Sequence, residues 1–220
     1  MRAEQLHVIN FNTGAVPFAV NLAGAVPAAV GITSDQRYGY RLYAITQSDN
    51  DEIWSVRDFA GRNVAHSEPS SNSGHQAPSA LFAQLHDTEP GEAYEVNFSG
   101  GHEQTTRGVI VGDYDCGPVC SSCARDVIVN SDRFDGTGVK AVWGSDPFPP
   151  GPMSYRYNLH PDIIEGIEAM LFDYTYEDTA WEEGTEYVRF QEVDYKSHWD
   201  IILTIQEYNG VEYEEGALGS

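Results

Sequence analysis

The sequence predicts an α/β fold with mostly parallel strands. Three observations carry that expectation. Short apolar alternations typical of strands take turns with helical patterns along the chain. Twice, a strand pattern runs into a small polar loop that opens a helix, once through residues 67–75 and once through residues 99–103. The 220 residues are 41% hydrophobic, enough for a sizeable core in one large or two small domains.

Leu6 to Phe11 reads as a strand. Asn12-Thr13-Gly14 caps a helix from about Ala15 to Ala23, with Pro17 in its first turn, where proline is tolerated. Val26 to Ile32 is strand-like, and the aromatic-rich alternation from Tyr38 to Thr46 is another strand. Asp51-Glu52-Ile53-Trp54 opens a short helix ending near Gly61, and Arg62 to His66 is a strand. A helix follows with Ala77, Ala80, Leu81, Ala83 and Leu85 apolar; Ala93 to Phe98 is a strand and a helix runs to Val111. Cys120 to Asn130 is helical in period, and Lys140 to Trp143 and Met153 to Tyr157 are strands. Pro161 to Phe172 is an amphipathic helix with Ile163, Ile164, Ile167, Met170 and Leu171 on one side. An acidic, aromatic loop covers Asp173 to Gly184, and Tyr195 to Tyr208 is a last helix whose core face is Trp199, Ile202 and Ile205.

The stretch Ser67-Glu68-Pro69-Ser70-Ser71-Asn72-Ser73-Gly74-His75 joins a strand to a helix start. Ser and Asn are preferred N-caps, and the first helical N–H groups lack partners and carry the positive end of the dipole. A loop of hydroxyls and small residues there is an anion cradle, because nothing bulky blocks the N–H groups. The plainer reading is an ordinary capped strand–helix turn.

The chain carries 12 Lys and Arg against 34 Asp and Glu, a formal charge of −22. Nucleic acid and anionic membranes are poor partners for such a surface. A small anionic ligand is compatible with it, since backbone dipoles act locally. So few basic residues point to a halophilic protein, soluble in high salt where screening relieves self-repulsion. No stretch approaches the roughly 18 apolar residues of a membrane span. Residues 16–30 are rich in Ala and Val but interrupted by Asn21, Gly24 and Pro27, and are not read as a signal peptide. The opening Met1-Arg2-Ala3-Glu4-Gln5 reads as a chain starting mid-domain, and Leu218-Gly219-Ser220 as a leftover of cloning.

Four pieces occur together and in order: Tyr38-Gly39-Tyr40, Pro69-Ser70-Ser71-Asn72-Ser73-Gly74, Ser99-Gly100-Gly101-His102-Glu103 and Ser145-Asp146-Pro147-Phe148-Pro149. The end, with Val193-Asp194-Tyr195, Trp199, Ile202, Ile205-Gln206-Glu207 and Gly210-Val211, fits the same set. From about Leu6 to Tyr213 the chain resembles the phosphate/phosphite/phosphonate-binding family, the PhnD-like solute-binding components of ABC transporters. The resemblance implies a fold like type II periplasmic binding proteins, two α/β lobes around a cleft, with the first lobe incomplete. It implies an extracytoplasmic, non-enzymatic protein without cofactors that binds phosphonate, phosphite or phosphate between lobes and meets ABC permease subunits. It divides the chain into residues 1–96 as the remainder of lobe one, 97–155 as lobe two, and 156–220 as C-terminal helices.

Carried over, the family's ligand-binding positions are Tyr40, Ser71, Asn72, Ser73, His102 and Asp146, with Thr13, Ser121 and Ser122 as further candidates. His102 would add a hydrogen bond, stronger if protonated. A carboxylate meets an oxyanion only through a proton, so Asp146 suits a P–OH group or a ligand amine. Family members begin with a further segment that this sequence lacks, along with any export signal. A truncated, non-binding fragment is therefore a third expectation.

Cys116, Cys120 and Cys123 form a C-x₃-C-x₂-C run. The spacing serves an iron–sulfur cluster or a zinc ion, giving the second expectation, a Cys-ligated metal-binding protein or metalloenzyme on the same scaffold. Cys120 and Cys123 would share a helix face. A disulfide that leaves one thiol unpaired, or plain packing of small residues, are the alternatives. His7, His66, His86, His160 and His198 show no metal spacing and read as strand, surface or cap residues; His75, just after the anion loop, reads as facing solvent, with lining the cleft as the lesser alternative. No nucleophile turn with a Ser–His–acid order and no Walker loop occurs.

Overall fold

The structure, a computed structural model, describes residues 1, 5–35, 39–129, 138–185 and 187–213, with backbone alone at 126–129 and 184. In chain order the elements are β1 (Val8–Asn10), α1 (Val16–Ala23), β2 (Ala25–Thr33), β3 (Leu42–Gln47), β4 (Val64–His66), α2 (Ala77–His86), β5 (Val96–Phe98), α3 (His102–Val111) and β6 (Cys116–Cys120). Then follow α4 (Ser121–Val129), β7 (Val139–Gly144), β8 (Met153–Arg156), α5 (Pro161–Phe172), α6 (Ala180–Thr185), β9 (Tyr187–Glu192), α7 (Tyr195–His198) and α8 (Asp200–Tyr208). Tyr38, Asn130 and residues 218–220 lie outside the described residues.

Two compact units result. The first is built mainly from Met1–Gly39 and Phe148–Leu203, the second mainly from Tyr40–Pro147 and Thr204–Val211. These limits depart from the boundaries near residues 96 and 155 expected from the sequence, because β4 and β5 pair in parallel across residue 96 and belong to one sheet.

The first unit holds a sheet in the order β1-β8-β2-β9, with every pairing antiparallel. Ala28, Ala29 and Leu171 form its core, with Met153, Tyr155, Ile167 and Phe190 packed around them. α5 has the expected bounds but buries less than its pattern promised: Leu171 is 1% exposed, whereas Ile163 is 54% and Met170 50% exposed. Ile163, Ile167 and Met170 follow one another at helical spacing along the flank of the face that meets the sheet, and Ile167 alone of the three packs against the core cluster. Asn12 accepts from the Ala15 N–H at 3.0 Å and caps the turn that opens α1, with Pro17 in its first positions as expected. Trp199 and Ile202 are fully buried, as the helical pattern anticipated, although the helix is broken at Trp199 into α7 and α8.

The second unit holds a sheet in the order β5-β4-β6-β3-β7. β4 pairs in parallel with both β5 and β6, while β3 runs antiparallel to β6 and β7. The expectation of mostly parallel strands is therefore corrected: among the described pairings between these strands, only those of β4 are parallel. Parallel neighbours need a helical crossover, and here only α2 and α3 supply one. Ile45, Val109, Val119 and Ala124 form a core cluster, and Phe59 packs edge-on to Phe82 at 5.8 Å. The helix expected over residues 51–61 shrinks to a 3₁₀ turn at Val56–Phe59. Asn50 Oδ1 takes the Glu52 and Ile53 N–H groups and Asp58 those of Trp54 and Ser55, so side chains replace the helical ladder.

The chain leaves β4 outward to β5 and then crosses back to β6. The order reverses between β4 and β6, and loops at the carboxyl ends of strands at such a switch are where open α/β sheets bind ligands.

Candidate functional site

The carboxyl end of β4 delivers residues 67–76. Ser71 is an N-cap: its Oγ accepts the Gly74 N–H at 3.1 Å, and its carbonyl accepts the N–H groups of His75 and Gln76 at 3.0 Å each. Asn72–Gln76 wind one wide π-type turn that passes into α2. Gly74 is demanded by crowding, since a Cβ there would lie 2.5 Å from Ser67 Cβ and Oγ and 2.8 Å from Ser71 Oγ.

The carboxyl end of β5 delivers the second loop. Gly100 N–H donates to Ser67 O at 2.8 Å and Ser99 N–H to His66 O at 2.9 Å, which tie the two loops together. His102 then opens α3 against the first loop. Its Nδ1 lies 2.9 Å from Ser67 Oγ and accepts the Cys120 N–H at 3.2 Å; its Nε2 lies 3.1 Å from Ser71 Oγ. A ring nitrogen that accepts a backbone N–H carries no proton, so the proton sits on Nε2 and is donated to Ser71. Burial holds the imidazole neutral by pushing its pKa down from 6.5 to about 4. His102 is thus a neutral strut between Ser71 and the end of β6: the hydrogen bond it was expected to give is spent on Ser71, and burial disfavours the protonated form that would give a stronger one.

With Gly74 N–H and His102 Nε2–H both directed at its oxygen, Ser71 keeps its own hydroxyl hydrogen as a donor, and no acceptor for it is found among the described residues. Beside it, Asn72 Nδ2 donates to the Tyr40 hydroxyl at 3.1 Å, and Ser73 hydrogen-bonds the same phenol. Burial outweighs those bonds and raises the Tyr40 pKa to about 12, so the phenol keeps its proton. Asn72 is 3% exposed, and its Oδ1 has no partner among the described residues. An unpaired buried acceptor is a feature that a bound donor would relieve.

Tyr40, Ser71, Asn72, Ser73 and His102 therefore come together on one face of the second unit. Ser67, buried between Gly74, His102 and Thr105, is the residue that sequence reasoning left out; its signal was its place as the first residue after the strand. Asp146 is exposed after β7, and no hydrogen bond links its carboxylate to the cradle among the described residues. Ser121 Oγ accepts the Arg41 N–H at 3.1 Å at the start of α4, and Ser122 is exposed. Thr13 belongs to the first unit, where its hydroxyl donates to Pro149 O at 2.8 Å and accepts the Trp199 indole N–H at 3.0 Å. Both bonds tie a buried turn to its own unit, a structural task.

Of the cysteine expectations, the disulfide that leaves one thiol unpaired is the one the structure shows, while the shared helix face and the three-Cys metal site are corrected. Cys120 ends β6 instead of sharing a helix face with Cys123, which lies in α4; the two form a disulfide, and Cys116 is a buried free thiol. Four residues of extended strand put Cys116 and Cys120 about 13 Å apart, too far for one metal ion. His102, Cys120 and Cys123 bring their donor atoms within 4.8 Å of one another, a set suited to a soft cation. The disulfide engages both sulfurs, however, and both His102 nitrogens are already bonded. His75 is also corrected: it is half-buried, with Nδ1 2.9 Å from Nδ1 of the buried His66, whose Nε2 is 2.8 Å from the Tyr94 hydroxyl.

Residues 1–199 match the family model described as ABC transporter, phosphonate, periplasmic substrate-binding protein. The phosphate-import protein PhnD of Mycolicibacterium smegmatis is 24% identical over 217 residues, covering 93% of this chain and 68% of that protein. Among solved structures, a binding-protein component of an ABC phosphonate transporter from Pseudomonas aeruginosa superposes with a TM-score of 0.79 at 19% identity, covering 94% of this chain and 71% of that one. PhnD1 of Prochlorococcus marinus, solved with methylphosphonate, gives 0.79 at 13% identity, covering 95% and 80%. At these identities the structural likeness carries the fold, that of periplasmic binding proteins of type II.

Proposed function

Since the chain belongs to the family of periplasmic substrate-binding proteins of phosphonate ABC transporters, we propose that it binds a small phosphorus oxyanion on the cradle formed by Ser71, Asn72, Ser73, Tyr40 and His102. The observation that carries this reading is the Ser71 hydroxyl: two donors fill its oxygen, so its hydrogen is available to an anion. The N–H groups at the start of the Asn72–Gln76 turn add dipolar attraction, which a surface of charge −22 cannot supply at long range.

Asn72 Oδ1 is an acceptor and repels a bare oxyanion. It suits the P–OH of a monoprotonated ligand or the ammonium of an aminoalkyl phosphonate. Asp146 serves the same purpose if it approaches the ligand. His102 acts as a positioning residue for Ser71. Phosphate, named for the Mycolicibacterium relative, and methylphosphonate, bound by the Prochlorococcus protein, both carry the tetrahedral oxyanion that this donor set fits. Delivery to ABC permease subunits outside the cytoplasm completes the reading; among the described residues no helix is long and apolar enough to cross a membrane.

The test is calorimetric titration with phosphate, phosphite, methylphosphonate and 2-aminoethylphosphonate. Saturable one-site binding of at least one supports the reading, and absence of heat with all four overturns it.

A further inference from the structure

The Cys120–Cys123 disulfide bridges the end of β6 and the first turn of α4 across Ser121 and Ser122. It lies one hydrogen bond from the cradle. The Cys120 N–H donates to His102 Nδ1 at 3.2 Å, and His102 Nε2–H donates to Ser71 Oγ at 3.1 Å. The bond is also set up to open. Cys120 is 6% exposed and Cys123 half-buried, so a reductant reaches Cys123 first. Cys120 Sγ accepts the Cys123 N–H at 3.0 Å and lies 3.5 Å from Ser122 Oγ, at the positive end of α4. Those donors stabilise Cys120 as the leaving thiolate, and a stabilised leaving group speeds exchange.

We propose that the Cys120–Cys123 pair is a redox switch on the anion cradle: the disulfide holds His102 and Ser71 in binding geometry and its reduction weakens binding. This rests on the reading of the cradle as an oxyanion site. The reductant is a dithiol. One of its thiolates attacks Cys123 Sγ, the S–S bond breaks, and Cys120 leaves as thiolate. The second thiol of the reductant then displaces Cys123 from the mixed disulfide. The protein gains two electrons and, on protonation, two thiols; the reductant ends as its own disulfide. Two effects of reduction have the same sign. The strap that fixes the Cys120 amide under His102 is lost. A Cys120 thiolate also places negative charge within 4.8 Å of a His102 nitrogen, beside the oxyanion. Cys116 takes no part, because it sits buried at the opposite end of β6 and burial raises its pKa.

The experiment compares oxidised protein with protein reduced by dithiothreitol and then desalted, with thiols counted in each. Each form is titrated with methylphosphonate and with inorganic phosphate, and amide hydrogen exchange is followed over residues 71–76 and at Cys120. Reduction is expected to raise the thiol count from one to three, weaken anion affinity about tenfold and speed exchange at those amides. Cys116→Ala responds like wild type, and the Cys120→Ser, Cys123→Ser double variant is weak with or without reductant. Equal affinity and equal exchange in the two forms overturn the proposal, as does a count of three thiols before reduction. If the oxidised protein binds neither of these two, nor phosphite nor 2-aminoethylphosphonate, the function reading fails by itself. The exchange data then decide the switch: faster exchange on reduction supports it and unchanged exchange overturns it.

Discussion

His102 Nε2 and Ser71 Oγ stand 3.1 Å apart although 31 positions separate them in sequence. The contact exists because both residues begin helices that follow parallel strand neighbours, β4 and β5, whose carboxyl ends point the same way. It converts two ordinary helix starts into one donor array. It also fixes the imidazole tautomer, since the Cys120 N–H occupies the other nitrogen. Four predictions follow from this arrangement and from the composition.

Gly74→Ala should damage stability and binding together. The new Cβ would sit 2.5 Å from Ser67 Cβ, inside a turn whose neighbours cannot yield without moving Ser67 away from His102. Overpacking of this kind costs about 1–3 kcal/mol. A thermal melt of the variant with an unchanged midpoint would show that the crowding is relieved some other way.

Acid should destabilise the fold through its buried histidines. Burial depresses the pKa of His66 to about 3 and of His102 to about 4, from 6.5, and lowers that of His75. Over that interval the unfolded chain takes up protons that the folded chain refuses, so stability is lost as pH falls from 6.5 toward about 4. Above 6.5 these groups contribute no pH dependence. Replacing His102 by Gln removes one of the three, and the melting midpoint of the variant should fall less between pH 7 and pH 4.5 than that of wild type. Parallel curves for the two proteins would contradict the assignment.

Much of this was legible in the chain. The two strand–loop–helix arrangements, the Ser71 cap, the Pro161–Phe172 helix and the buried Trp199, Ile202 and Ile205 all rest on local chemistry, which sequence periodicity reports. What escaped depends on distant partners. β9 was hidden inside an acidic stretch; its register comes from β2, where Val30 faces Gln191 and Ile32 faces Arg189. The antiparallel pairing of β3 with β6 and β7 joins segments far apart in sequence, and no local pattern distinguishes it from a parallel pairing. Cys120 looked helical because the helical period of α4 extends one residue back into the strand. Ser67 was overlooked because its importance lies in touching His102, a contact made only in three dimensions.

Salt should stabilise the protein. A charge of −22 with only 12 basic residues leaves net repulsion that screening relieves. Surface ion pairs such as Arg57–Asp87 at 3.6 Å, with side chains 65% and 91% exposed, are too open to offset it. The melting midpoint should rise from low to molar potassium chloride, and a flat or falling midpoint would count against the idea.

The central claim, that Ser71 donates its hydroxyl to a phosphorus oxyanion, is tested most directly by calorimetric titration of wild type, Ser71→Ala and Ser79→Ala with whichever of the four anions wild type binds tightest. Removing a donor to a charged ligand is worth about 1.5–3 kcal/mol, so Ser71→Ala should bind roughly ten- to a hundredfold more weakly. Ser79 lies further along the same helix and donates to His75 O at 2.8 Å, so Ser79→Ala should bind like wild type. Equal affinity in wild type and Ser71→Ala would contradict the account.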